Sequence, residues 1–389
     1  MGSKQQGGRS GAGVLTVGID YRPALQNREG IGRYTRELVK ALAALPAAPD
    51  LRLYGSTLAP PRVPSAPPPG TCMRRWRVPS RLQPWMLAAT SGADGFLGGA
   101  RIFHHTQYNR LPVKRALEVA TLHDCIYLLE PQFVGPDAAA RMSAQARQLA
   151  SHARRVLVPS EYVRGRVAEA FQLPAERIHV TPLGCDHLAP VEPGKVGNVG
   201  IPARPGPPYV LTVSRIEPRK NHLRMLRAFE GVVGAGLPHR WKVVGPAGHD
   251  ADVFLDALDR SPARERVDWE SEVSEAQLST HLAAASAFLF TSLSEGFGLP
   301  PLEAMARGIP VVASDSTSVG EVCAGGALLV DPLDVDATRD ALCELLGDEA
   351  VRDAWAIRAR ERAASFTWER CARATLAAYE SAWCDSDQQ

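Results

Sequence analysis

Two runs of alternating strand and helix patterns, one on each side of a proline- and glycine-rich stretch, constrain this chain more than any other feature. In the first run an apolar strand pattern covers VLTVGID (14–20). A glycine-containing loop follows, then a helical pattern over Arg33–Leu45 with Leu38, Leu42 and Leu45 on one stripe. Further strands read near Leu51 and at RIFHH (101–105), LEVATLHD (117–124) and RRVLVPS (154–160). The last leads into a helix, EYVRGRVAEAF (161–171), and then RIHVTPLG (177–184). The second run has strands at YVLTVSR (209–215), RWKVVGPAG (240–248), SAFLFTS (286–292) and IPVVAS (309–314). Helical patterns lie between or after them at 221–233, 299–308, 334–347, 349–364 and 367–383. Such alternation implies parallel sheets covered by helices.

Residues 192–208 hold five prolines and four glycines and read as a linker between two doubly wound halves. The expected organisation is a disordered leader at 1–13, a first domain at 14–191, the linker at 192–208, a second domain at 209–366, and a terminal helix within 367–389. Residues 59–70 carry six prolines in twelve positions and are expected to be irregular. In doubly wound sheets ligands bind at the carboxyl ends of strands, so two facing halves are expected to enclose a cleft.

Composition narrows the class. The chain has 389 residues, 45% hydrophobic and 22% charged, as expected of a globular protein with real cores. No run of about 18 apolar residues suggests a membrane span. The leader lacks the apolar core of a signal peptide, so a cytoplasmic location is expected. Seven scattered cysteines, none spaced CxxC, suggest reduced thiols without a zinc site or a disulfide framework. Charge is uneven. Residues 1–190 hold 24 Lys and Arg against 13 Asp and Glu, a formal +11, while 191–389 hold 20 against 29, a formal −9. The basic half is expected to face something anionic, such as a lipid phosphate or a membrane surface. The segment MRRWRVPSRLQPWML (73–87) mixes Arg74, Arg75, Arg77 and Arg81 with Trp76 and Trp85, which suits a membrane interface or a loop docked by its Trp residues. No nucleic-acid module accompanies it, and no nucleic-acid partner is expected.

The chemistry concentrates in SEGFGLPPLEAMARGIPVVAS (294–314). Glu295 sits in a loop just after a strand, and Glu303 falls about one turn into the next helix, which Pro300 and Pro301 suit as a start. Gly296 and Gly298 let backbone amides approach a ligand closely beside a helix N-terminus that favours anions. Arg215 and Lys220 lie five apart in a strand-to-helix loop, a fork and a point charge suited to a diphosphate. Arg219 lies between them, and spacing does not say which cations reach in. Gly30, Ile31, Gly32 and Arg33 form a short glycine loop opening the first helix. His123 and Asp124 end one strand and His104 and His105 another, which suggests a polar cleft wall. Aspartate triplets at 250–252, 334–336 and 385–387 read as helix caps rather than metal ligands.

EGFGLPPLEAMARGIPVVAS resembles the E-x7-E signature of glycosyltransferase family 4, the retaining group 1 family with the GT-B fold. TVSRIEPRKNHLRMLRAF, VPSEYVRGRVAEAF, TLHD, GIGRYTREL and SFTWERCARATLAAYE agree with it in order and spacing, from about Val17 to Tyr379. The resemblance implies two Rossmann-like domains, acceptor side first and nucleotide-sugar side second, with the last helix crossing back to the first domain. It implies that Arg215 and Lys220 neutralise a leaving diphosphate, and that Glu303 binds ribose hydroxyls. Glu295 would meet the transferred sugar, with the Gly296, Phe297 and Gly298 amides and Leu299 beside it. His123, followed by Asp124, would lie near the reacting centre, and Gly30 and Gly32 would contact diphosphate or acceptor. The base would rest near Trp269 and Glu270, where VDWESEVSEAQL (267–278) departs from the family pattern and leaves the nucleotide open. The implied activity is metal-independent transfer of a hexose from a nucleotide diphosphate sugar to a glycan or lipid-linked acceptor. Mannose from GDP-mannose is the first choice, UDP-sugars the next. In the same-face mechanism the leaving phosphate takes the acceptor's proton, so no cofactor is implied. A polysaccharide or lipopolysaccharide product and reversible attachment to the inner membrane face are expected. The alternatives are a GT-B sugar-nucleotide epimerase and a catalytically silent nucleotide-sugar-binding partner.

Overall fold

A computed structural model of the chain describes residues 14–27, 30–56, 58, 66–79, 81–187 and 207–385. The leader expected at 1–13 and the linker expected at 192–208, as far as residue 206, lie outside the described residues. Among the described residues seven strands form the first sheet: β1 (Thr16–Asp20), β2 (Asp50–Ser56), β3 (Cys72–Trp76), β4 (Ile102–His105), β5 (Leu117–Thr121), β6 (Arg155–Val158) and β7 (Ile178–Val180). Their order is β3-β2-β1-β4-β5-β6-β7. Six form the second: β8 (Tyr209–Val213), β9 (Arg240–Val244), β10 (Val267–Glu270), β11 (Ala287–Phe290), β12 (Val311–Ser314) and β13 (Leu328–Val330), in the order β10-β9-β8-β11-β12-β13. Pairing is parallel, for example Thr16↔Asp50 in the first sheet and Val213↔Val244 in the second. The central strands read as apolar runs because helices cover both faces of such sheets. Val210, Leu211, Phe288, Leu289 and Val312 are fully buried.

The chain sorts into two compact units. One holds the described residues up to Thr121, with His152–Arg155 and everything from Leu376 on; the other holds Leu122–Ser151 with Val156–Thr375. The core of the second unit packs Trp241 against Phe229 and Phe254, with the indole N–H donating to Thr212 Oγ1 at 2.9 Å. Each such buried side chain contributes about 1.5–3 kcal/mol. The final helix (Trp368–Cys384) starts in the second unit, and from Leu376 its turns belong to the first, as expected for a helix that crosses back. There the Tyr379 hydroxyl lies 2.7 Å from His104 Nδ1, and Arg101 sits over the Trp383 ring.

Several elements depart from expectation. The start of the segment 73–87 is not loop: Cys72–Trp76 pairs in parallel with β2 as an edge strand, Trp76 stacked on Phe96 at 5.0 Å. The helix Pro136–His152 carries no strong apolar stripe, and it buries mainly alanines with Leu149. His104 and His105 line no cleft. Both are fully buried in the first unit, His104 between Tyr379 and Thr121, and His105 2.9 Å from Glu118 Oε2.

Candidate active site

In the second sheet the strand order reverses between β8 and β11, the switch point at whose carboxyl ends doubly wound sheets bind their ligands. The loop after β8 runs through the short turn Pro218–Lys220 to Asn221, which adopts a left-handed φ of 64° and starts the helix His222–Gly234. Asn tolerates that conformation. Its side-chain amide donates to Thr291 O at 2.9 Å and Pro332 O at 2.7 Å, which binds this loop to the end of β11. The Leu293 amide donates to Arg219 O at 2.8 Å and completes the clasp.

Glu295 is thereby held between cations. Lys220 Nζ is 2.5 Å from Oε1, Arg219 Nη1 is 3.0 Å from Oε2, and the Ser292 hydroxyl is 2.7 Å from Oε1. Burial pushes the Glu295 carboxyl up, but Lys220 first and Arg219 second outweigh it and hold the group at about 2. Arg219 also reaches Glu217 at 2.6 Å and Ser294 O at 2.7 Å. Arg215 differs. It is exposed, its stem crosses Gly248, and it makes no ion pair among the described residues. Of the three cations whose reach the spacing left open, two are engaged with Glu295 and one is available.

The loop that follows explains its glycines. A Cβ on Gly296 would lie 2.0 Å from the His123 carbonyl oxygen, so only glycine admits the His123–Asp124 turn. Gly298 has a φ of 99° and precedes the helix Leu299–Ala306, whose N-terminus receives no side-chain cap. Pro300 and Pro301 carry no N–H and the Leu302 amide bonds Gly298 O, so the amides of Gly298 and Leu299 are the ones a bound anion can meet there. Phe297 is buried edge-on to Phe366, which leaves its backbone rather than its ring for contacts. Glu303, also buried, lies 3.2 Å from His187 Nε2, and the Trp368 indole N–H donates to His187 Nδ1 at 3.1 Å. That bond places the His187 ring proton on Nε2, toward the carboxylate.

His123 and Asp124 are half-buried against this loop. The second unit thus brings together His123, Asp124, Arg219, Lys220, Glu295 and Gly296. Trp269 and Glu270 stand apart at the end of β10, two strands from β8. Trp269 donates to Gly245 O at 2.9 Å, and Glu270 is 2.6 Å from Lys242 and 3.1 Å from His281. Gly30 and Gly32 belong to the first unit. Gly30 takes a φ of 55°, and a Cβ on Gly32 would lie 2.0 Å from Asn27 O. Of the aspartate triplets, Asp334 caps its helix through Ala337 N at 2.9 Å. Asp250 occupies a cap position but makes no cap bond and faces His249 at 3.0 Å instead. Residues 386–387 lie outside the described residues.

Several contributors had no sequence signal. Ser160 Oγ caps the helix Glu161–Phe171 at Val163 N and also donates to Gly296 O at 3.1 Å. Glu321 accepts from the amides of Glu161 and Tyr162 at 3.0 and 2.9 Å. Ser292 and His187 are ordinary residue types at unremarkable spacings, and only tertiary contact selects them.

The family model for "Glycosyltransferase Family 4" matches residues 28–187, and that for "Glycosyl transferases group 1" matches residues 200–362, together most of the chain. The chain belongs to the group 1, family 4 glycosyltransferases. It is 29% identical over 367 residues to the O-antigen chain mannosyltransferase B of Escherichia coli, covering 90% of this chain and 96% of that protein. Its fold is that of sucrose-phosphate synthase from Thermosynechococcus elongatus, with a TM-score of 0.76 at 19% identity over 95% of this chain and 100% of the other. It is also that of Anabaena HepE, solved with UDP and glucose, with a TM-score of 0.67 at 16% identity over 93% and 99%. This glycosyltransferase therefore has the GT-B architecture, with Glu295 and Glu303 on the helix-and-loop unit that follows β11.

Proposed function

We propose that this glycosyltransferase moves a hexose, mannose first among the candidates, from a nucleotide diphosphate sugar to a hydroxyl of a glycan or lipid-linked acceptor, with retention of configuration and without a metal. The observation that carries this reading is the Glu295 cluster: a carboxylate held ionised by Lys220 and Arg219, beside the Gly298 and Leu299 amides at an uncapped helix start and near Arg215, which makes no ion pair among the described residues. An ionised carboxylate accepts hydrogen bonds from sugar hydroxyls. Arg215 and Lys220 are suited to the charge that grows on a departing diphosphate. Glu303, oriented by His187, is suited to a ribose diol. The mannosyl preference rests on the O-antigen relative, whereas HepE, solved with UDP and glucose, keeps UDP-sugars in the panel. The relatives reported above are transferases or synthases by name where their names state an activity, which favours transfer over epimerisation or silent binding.

A lipid-linked acceptor would bring the protein to a membrane surface. Among the described residues no helix is long and apolar enough to cross one. Leu82 and Trp85, 51% and 73% exposed, stand beside exposed Arg74, Arg77 and Arg81, a combination suited to reversible docking on anionic lipid. The test of the transfer reading is release of nucleoside diphosphate from GDP-mannose, UDP-glucose and UDP-N-acetylglucosamine. Release from at least one is expected, and release from none across a broad donor and acceptor panel overturns the reading.

A further inference from the structure

Glu303 is the carboxylate assigned above to the ribose, and its hydrogen-bond partner comes from outside its own helix. His187 belongs to the segment that follows β7, and Trp368, the partner of His187, opens the final helix. All three lie in the second unit. The His187 and Glu303 side chains are only 8% and 7% exposed, and at that burial a hydrogen bond fixes a carboxylate more firmly than it would in water. The segment that carries His187 is clasped to the start of the final helix. The Cys185 amide donates to Phe366 O at 3.1 Å, and the Trp368 amide donates to Asp186 Oδ1 at 2.8 Å. A Cβ on Gly184 would lie 2.2 Å from Trp368 N, so only glycine lets the two backbones approach this closely. Phe366, in the same turn, is the ring that meets Phe297 edge-on. The clasp thus reaches Glu303 through His187 and the Glu295 loop through Phe297.

The direction of the hydrogen bonds follows from the groups themselves. An indole N–H can only donate, so Nδ1 of His187 accepts from Trp368 at 3.1 Å. The ring is then neutral with its proton on Nε2, 3.2 Å from Glu303 Oε1. The other neutral tautomer would set a lone pair against the carboxylate and an N–H against the indole N–H. Trp368 therefore selects the one state in which His187 donates, and the donor in turn fixes one oxygen of Glu303. We propose that Trp368 and His187 are positioning residues for the nucleotide, a relay that orients Glu303 toward the ribose hydroxyls and so sets the preference for a ribonucleotide over its deoxy analogues. The inference rests on the assignment of Glu303 to the ribose. The relay acts through Glu303, so its effect disappears when the ligand has no ribose hydroxyls for that carboxylate to accept from.

The test uses the full chain and needs no turnover. Calorimetric titration compares wild type, His187→Ala, His187→Gln, Trp368→Phe and Glu303→Ala. The ligands are whichever of GDP and UDP the wild type binds and the 2′,3′-dideoxy form of the same nucleotide. His187→Ala is expected to weaken the ribonucleotide about tenfold, the scale of a lost hydrogen bond to a charged group. His187→Gln, whose amide N–H can still donate to the carboxylate, is expected to recover most of that loss. Trp368→Phe, which frees the tautomer without removing the donor, is expected to cost about threefold, or about 0.65 kcal/mol. The dideoxy nucleotide is expected to bind all five proteins within about twofold, which a merely structural role for either residue would not produce. Undiminished ribonucleotide binding in His187→Ala overturns the relay, as does an equal loss for both ligands or a glutamine variant no better than alanine. If His187→Ala does not fold, Trp368→Phe decides the matter, and a loss shared by both ligands overturns the relay. A wild type that binds the two nucleotides equally, matched by Glu303→Ala, removes the ribose assignment itself, and the relay falls with it.

Discussion

Lys220 Nζ and Glu295 Oε1 stand 2.5 Å apart although 75 residues separate them in the chain, and the contact joins the loop after β8 to the loop after β11. The two loops are shaped by unrelated devices, a left-handed Asn221 in one and Gly296 and Gly298 in the other. Charge that the sequence offered to two different ligand groups, sugar and diphosphate, is therefore coupled before any ligand arrives.

That coupling gives a pH signature. The folded-state carboxyl of Glu295 is held at about 2, below its ordinary 4.5, by Lys220 and Arg219 against the effect of burial. A lowered carboxylate contributes stability that is present above its unfolded value and is lost as pH falls toward the folded one. Between about pH 4.5 and 2 the wild type is expected to lose more thermal stability than Glu295→Gln. Parallel melting curves for the two proteins across that window would contradict the pairing.

Removing one cation should be felt in turnover. Lys220→Ala and Arg215→Ala are each expected to lower kcat at least about tenfold, since a charge aimed at the leaving diphosphate is worth a few kcal/mol in a dry site. Lys220→Ala also leaves Arg219 as the cation on Glu295, with the Ser292 hydroxyl beside it. Steady-state rates of nucleotide release measure both. Near-native rates in the pair would transfer the diphosphate role to Arg219.

The two glutamates should separate under kinetics. Glu303→Ala is expected mainly to weaken nucleotide binding, and Glu295→Ala mainly to impair transfer, because one carboxylate is assigned to the ribose and the other to the sugar whose bond breaks. Calorimetric titration with GDP and UDP beside turnover makes the comparison. Equal, small losses in both variants would refute the assignment.

The basic first half carries a prediction about place. Surface Arg contributes about 1 kcal/mol each near anionic lipid, within a Debye length, so several give weak, salt-sensitive binding. Co-sedimentation with anionic vesicles is expected at low salt and should decline in Arg74→Gln/Arg77→Gln/Arg81→Gln. If wild type ignores anionic vesicles even at low salt, the docking reading fails.

Much of this was legible in the sequence. The fully buried strands are apolar runs, so β8, β11 and β12 appear within a residue or two of their place, and the helix Glu161–Phe171 coincides with its pattern. The E-x7-E spacing located Glu295 and Glu303 correctly on a loop and in the helix behind it. The edge strand Cys72–Trp76 was hidden because charged residues on a half-exposed strand break the apolar run that marks its neighbours. The alanine-rich helix Pro136–His152 was hidden because small side chains bury little and leave no stripe. His104 and His105 misled because two polar residues at a strand end look like a site, and only tertiary packing reveals Tyr379, Thr121 and Glu118 as their partners. Arg219 was undecidable by spacing, since the turn Pro218–Lys220 settles which side chains swing toward Glu295.

The stereochemistry of the product tests the central reading most directly. With the best donor from the panel and EDTA present, proton NMR follows the anomeric signals before mutarotation or further reaction. An ionised Glu295 beside the sugar and cations on the departing diphosphate, with the leaving phosphate taking the acceptor's proton on the same face, predict an α-configured first product from an α-linked donor. A β-configured first product, or turnover that stops in EDTA and returns with manganese, would contradict the account.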